Sequence, residues 1–167
     1  MRASTTDDNA AFADSDKSNV KIYFLTVPYM ESRANIIIRW KALNDNYADG
    51  KAKKYENLCQ KNISQYYSWI KEEKKSKNFQ LPTQVDAFKY LAMLYEKQGK
   101  FKEAIAVCDE AIAAKATYDG TKGGIEGRKK RLKKNVELKT TQCYQHQMKI
   151  WELTENSRRM GHAIAKL

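Results

Sequence analysis

The chain has 167 residues, a formal charge of +11 and a pI near 9.5. Two prolines, seven glycines and abundant Lys, Glu, Ala, Leu and Gln leave little material for β-turns and point to an all-α fold of roughly one domain. Three cysteines with no CxxC pair, and no apolar run approaching the ~18 residues of a membrane span, argue against a disulfide framework, a zinc module or a transmembrane helix. The opening residues lack the apolar core of a secretory signal, so the expectation is a cytoplasmic protein with reduced thiols.

Residues 1–19 hold Arg2 and Lys17 against Asp7, Asp8, Asp14 and Asp16, with Phe12 as the single aromatic. Such a stretch buries too little apolar surface to offset the entropy of ordering, and is expected to be a disordered acidic tail. Its net −2 leaves +13 on residues 20–167. The next run, Val20 to Tyr29, is β-branched and aromatic and is interrupted by Pro28. No second strand candidate exists to pair with it. Two readings stand: an extended segment laid along helices, or a first helix ending before Pro28.

Glu31 to Tyr47 is expected to be helical, with Ser32 as its cap and an apolar face of Ala34, Ile37, Ile38 and Ala42 extended by Trp40, Leu43 and Tyr47. Asp49-Gly50 reads as a turn. A long helix then runs from Lys51 to about Ser76, with Tyr55, Leu58, Cys59, Ile63, Tyr66, Tyr67 and Ile70 at helical spacing. Trp69 lies off that stripe and reads first as a second packing face, with a partner-facing role as the sharper alternative.

Thr83, with Asp86 three residues on, resembles a capping box and opens the most regular stretch of the chain. From Val85 to Ala116 two short amphipathic helices are joined by Lys97-Gln98-Gly99-Lys100. Phe88, Leu91, Ala92 and Tyr95 stripe the first, while Phe101, Ala104, Ile105, Cys108, Ala111 and Ile112 stripe the second. Ala92, Ala104 and Ala111 are small where the stripes would meet, which permits a close approach. The order Phe88, Leu91, Ala92, Tyr95, Gly99, Phe101, Ala104, Ala111 resembles the tetratricopeptide repeat. Cys108 stands where that family usually has an aromatic, and Ala116 where it has a closing proline, so the second helix is free to run on.

The resemblance implies helix pairs stacked into an array, with an inner groove lined mainly by the first helix of each pair and filled by a peptide or helix of another protein. Lys89, Met93 and Glu96, left off the core stripe, are the groove candidates. Helices 31–47 and 51–76 would form a degenerate preceding pair, and 20–139 the helical domain as a whole.

The Gly cluster at 120–124 lacks the Gly-Lys-Ser/Thr ending and preceding strand of a phosphate loop, and reads as a connection between helices. From about Ile125 the chain is helical almost to its end. Leu132, Val136, Lys139, Cys143, His146, Ile150, Leu153, Ser157, Met160, Ile164 and Leu167 hold an unbroken 4,3 register, polar only at Lys139, His146 and Ser157. Residues 140–167 are therefore a C-terminal helix that either folds back as a cap or projects to meet another chain, with homo-oligomerisation a corollary.

Arg128, Lys129, Lys130, Lys133 and Lys134 form the strongest basic patch. Its sharp reading is phosphate contact with nucleic acid, and its plainer one a solvated helix face. Cys143 and His146 share a face but lack further ligands for zinc. No nucleophile–base pairing stands out, and the carboxylate pairs Glu72-Glu73 and Asp109-Glu110 point to different sides of a helix. The sequence thus predicts a non-enzymatic module that binds another protein or peptide, with no catalytic residue, metal, cofactor or membrane partner. A basic nucleic-acid-binding protein is the alternative.

Overall fold

The computed structural model describes residues 7–48, 50–75 and 79–164, with side chains over 20–155 and at Arg158. Five helices follow one another: α1 Asp7–Ala42, α2 Gly50–Glu73, α3 Asp86–Lys97, α4 Phe101–Ala113 and α5 Gly124–Ile164. Among the described residues there is no strand.

Side-chain pairs give the helix directions. Tyr55 donates to the Ile36 carbonyl at 3.1 Å and Asn62 to the Tyr29 carbonyl at 2.9 Å, so α2 runs back along α1. Tyr95 meets Glu56 while Phe88 meets Tyr66, so α3 runs back along α2. Lys129 pairs with Asp109, and Lys139 lies over Phe101, which turns α5 against α4. Arg33–Asp86 and Trp40–Tyr90 set α1 parallel to α3, and Glu96–Arg128 joins α3 to α5. The odd helices thus share one direction, with α2 and α4 packed between successive members in sequence.

The core follows the apolar stripes on α2, α3 and α4. On α1 it does not, since Ala34, Ile37, Ile38 and Ala42 of the expected face are exposed while Tyr29, Ile36 and, just past its end, Leu43 are buried. Phe88, Ala92, Leu94, Ala104, Cys108 and Ala111 are fully buried where α3 meets α4, with Leu132 closing the α5 side. The three alanines allow the close approach expected of them. Burial of the Cys59 and Cys108 side chains matches a small-residue core role.

The helix boundaries hold to the sequence expectation at 97–101 and at the starts of α2 and α5, and depart from it at the ends of α1 and α4. Gly99 takes a φ of +74°, and the Lys100 and Gly99 amides return to the Tyr95 and Glu96 carbonyls, capping α3 with a glycine that alone enters this region without strain. The second helix does not run on past Ala113. Lys115 adopts φ +60°, and the Ala116 and Lys115 amides bond back to Ala111 and Ile112 in the same capping pattern. The chain turns at Leu43 to Asp45, where Asn44 and Asp45 have positive φ, and Gly50 is the first residue of α2; Asp49, of the expected Asp49-Gly50 turn, lies outside the described residues.

The start of α3 has no side-chain cap. Asp86 instead accepts from Arg33 Nε at 2.6 Å and from Gln84, so the capping-box expectation gives way to a tertiary ion pair.

Helix α1 corrects the reading of the first thirty residues. It is continuous from Asp7, so helix covers 7–19, where composition predicts a disordered tail; residues 1–6 lie outside the described set. Alanines 10, 11 and 13 favour helix in that stretch. Helix α1 also passes through Pro28, at a local cost of about 3 kcal/mol, because the missing N–H leaves the Phe24 carbonyl without its helical donor. Contacts on both sides offset that cost. Tyr29 stacks on Trp69 with centroids 5.3 Å apart, Asn62 holds the Tyr29 carbonyl, and Lys21 pairs with Glu72. Ser32 is buried inside α1 and caps nothing. Trp69 packs against Tyr29, Tyr66 and Phe79.

Candidate functional site

Lys89, Met93 and Glu96 share one face of α3, and all three are half-buried. The face turns toward the connection into α5. The Lys89 ammonium lies 5.2 Å from the centre of the Tyr90 ring and beside Gly120, and Glu96 accepts from Arg128 Nη1 at 3.0 Å. Of the three, Glu96 is therefore occupied within the fold.

The connection is built around Asp119, which is fully buried. Its Oδ1 accepts from the Thr121 amide at 3.0 Å and the Thr121 hydroxyl at 2.6 Å, and its Oδ2 accepts from Arg128 Nε at 3.1 Å. Burial works to raise the Asp119 pKa, but the two Thr121 hydrogen bonds and the guanidinium outweigh it and hold the carboxyl below its ordinary range. The Tyr118 amide bonds the Thr83 carbonyl and the Ile125 amide bonds the Thr117 carbonyl, tying this loop to the entry of α3. Gly124 has φ +56°, and a Cβ there would stand 2.4 Å from the Thr117 oxygen, which excludes any other residue without backbone movement.

The basic run divides into two groups. Arg128 is buried, with its donors on Asp119 and Glu96, and Lys129 is half-buried on Asp109. Lys130, Lys133 and Lys134 are exposed, as is Arg131. The patch left facing solvent is smaller than the sequence run.

Two apolar surfaces face solvent, the first unrecognised in the sequence and the second, on the segment expected to fold back or project, with a different set of leading residues. On α1, Val20, Tyr23, Phe24, Val27, Met30 and Ile38 are exposed on the side opposite Tyr29 and Ile36. On α5, Tyr144, Met148, Ile150, Trp151 and Leu153 are exposed beyond the end of α4. The signal for the second was present: α4 is 13 residues long and α5 is 41, so most of α5 has no length of α4 to pack on.

Among the described residues no three His, Cys, Asp or Glu side chains come together to hold a metal ion, and no helix is long and apolar enough to cross a membrane. No protein-family model, curated protein or solved structure matches the chain.

Proposed function

We propose that the chain is a non-enzymatic protein–protein interaction module, an adaptor or regulator, on a tetratricopeptide-type scaffold. One observation carries the reading. Helix α3 is linked to α1 through Arg33–Asp86 and to α5 through the single ion pair Glu96–Arg128, and the three helices run parallel, as the first helices of such a groove would. The residues that carry the family resemblance support it, since Phe88, Leu91, Ala92, Ala104 and Ala111 are buried at the α3–α4 seam. On this reading α1 and α2 form the degenerate first pair, α3 and α4 the second, and α5 covers the end of the array as a single helix, half a unit short of the roughly three repeats that such arrays need. The buried charges Asp119, Arg128 and Glu56 are matched to neighbours within the fold and serve packing rather than chemistry. Buried free thiols at Cys59 and Cys108 fit a reducing compartment such as the cytoplasm.

The test is a photo-crosslinker at Lys97, exposed one turn beyond Met93. The expected products are nuclease-resistant adducts with polypeptide. Products lost on nuclease treatment would overturn this reading in favour of nucleic-acid binding. That second reading rests on the exposed Lys130, Arg131, Lys133 and Lys134. It requires affinity that falls steeply with salt, by about 0.9 log units per log unit of salt for each phosphate neutralised.

A further inference from the structure

Helix α5 outlasts the helix it packs on. Along its inner seam Leu132 is fully buried, Val136 is half-buried, and the Lys139 ammonium lies 4.6 Å from the centre of the Phe101 ring. Phe101 is the first residue of α4, and the two helices run in opposite directions, so the seam has no α4 residue to meet past that point. Every residue from 140 to 154 is exposed.

This overhang is not an ordinary solvated helix. Tyr144, Met148 and Trp151 follow one another at i, i+4 and i+7, and are 66%, 56% and 60% exposed. That spacing places them on one face. Contiguous exposed apolar groups of this kind mark docking surfaces, whereas scattered ones do not. Met148 and Trp151 stand eighteen residues, about five full turns, beyond Lys130 and Lys133, and so occupy the same angular positions on the helix. Lys134 lies beside them. One face of α5 therefore begins cationic and ends apolar. Between residues 140 and 151 the only charged side chain is Lys149; Glu137 falls between the two ends of the face, and Glu152 lines it beside Tyr144 and Met148.

We propose that this face binds an amphipathic acidic helix of another protein, with its apolar anchors on Tyr144, Met148 and Trp151 and its carboxylates on Lys130, Lys133 and Lys134. The proposal rests on the reading of the chain as an interaction module and assigns that role a surface and a partner chemistry. Charge decides between occupants. A second copy laid on the apolar end would leave the three lysines without counter-charges and add its own positive charge. An acidic helix satisfies both halves of the face at once. Such docking follows the helix-to-helix mode in which anchors at i, i+4 and i+7 carry affinity and flanking charge carries specificity.

The probe is a synthetic helical peptide of about 20 residues, the length that spans Lys130 to Trp151, with a leucine stripe flanked by glutamates. Binding to the full chain is read by anisotropy of a labelled peptide and by quenching of Trp151. We expect saturable binding, weakened at least about tenfold by Met148→Glu or by Lys130→Glu with Lys133→Glu and Lys134→Glu, as for loss of central anchors or facing charges. The same peptide with lysines in place of the glutamates should not bind. Circular dichroism of each variant should match the parent, since all these positions are exposed.

Equal binding of the lysine peptide would overturn the proposal. So would dimerisation of the chain by light scattering that Met148→Glu abolishes, or Met148-dependent binding of anionic vesicles or of RNA in preference to the peptide. If the peptide fails while Lys97 still crosslinks to polypeptide, this inference falls alone. If both fail, the interaction-module reading falls with it.

Discussion

Arg128 Nε lies 3.1 Å from Asp119 Oδ2, and both side chains are removed from solvent at the point where the chain enters its last helix. The same guanidinium reaches Glu96 through Nη1, so one side chain joins the loop, α3 and α5. A residue that the sequence offers as a phosphate ligand is a structural fastener.

Replacing Arg128 by Leu leaves Asp119 as a buried carboxylate without its cation. The expected loss is about 3–5 kcal/mol in urea unfolding. Arg128→Lys should recover little, because an ammonium cannot reproduce the two-directional contact of the planar guanidinium. A loss below about 0.5 kcal/mol, the range of ordinary surface substitutions, would remove Arg128 from the fastening role.

The depressed Asp119 pKa makes stability depend on acid. A carboxyl whose folded pKa lies below its unfolded value contributes fully above that unfolded value, near 4, and loses the contribution as pH falls through the folded one. Glu56 behaves alike: burial raises its pKa, but hydrogen bonds from Lys53 and Tyr95 bring it below the usual range. The urea midpoint should hold from neutral pH to about 5 and fall below about 4. Since a basic chain also gains repulsion in acid, the diagnostic comparison is Asp119→Asn, which should flatten the acid limb. An unchanged limb would remove Asp119 from the titration.

Two left-handed residues should respond in opposite senses. Lys115 holds φ +60° in the α4 cap, and Lys115→Gly should stabilise by about 1 kcal/mol. Gly124→Ala should destabilise by more than about 1 kcal/mol, since φ +56° and the Thr117 oxygen both exclude a Cβ. Thermal melts of the two variants check the signs.

The thiols should separate by kinetics. Burial raises the Cys59 pKa to about 12 and the Cys108 pKa to about 11, whereas Cys143 is exposed on α5. A thiol reagent at pH 8 should modify one cysteine promptly and the other two only on unfolding. Mass spectrometry of the labelled peptides should find Cys143; early label on Cys59 would place the α1–α2 seam in exchange with open states.

A chain ending at Thr140 should keep its unfolding free energy within about 1 kcal/mol, because every residue from 141 to 154 is exposed. A large loss would mean that the overhang folds back in solution, an outcome light scattering and denaturation together can read.

Local pattern alone determined much of this protein. The α3–α4 hairpin, its glycine cap and its alanine seam were legible because periodicity, turn chemistry and small-residue placement all act within about thirty residues. The start and long course of α5 were legible for the same reason. Tertiary structure decided the rest. Pro28 reads as a helix end, yet α1 passes through it, because Asn62, Trp69 and Glu72 hold the helix on either side from a distance of more than thirty residues in sequence. Thr83 and Asp86 read as a cap, yet Asp86 belongs to Arg33. Arg128, Lys129 and Lys130 are consecutive cations of nearly equal propensity. Only the positions of Asp119, Glu96 and Asp109 in space make the first two internal and leave the third facing solvent, since an ion pair depends on distances that one helix's sequence does not contain.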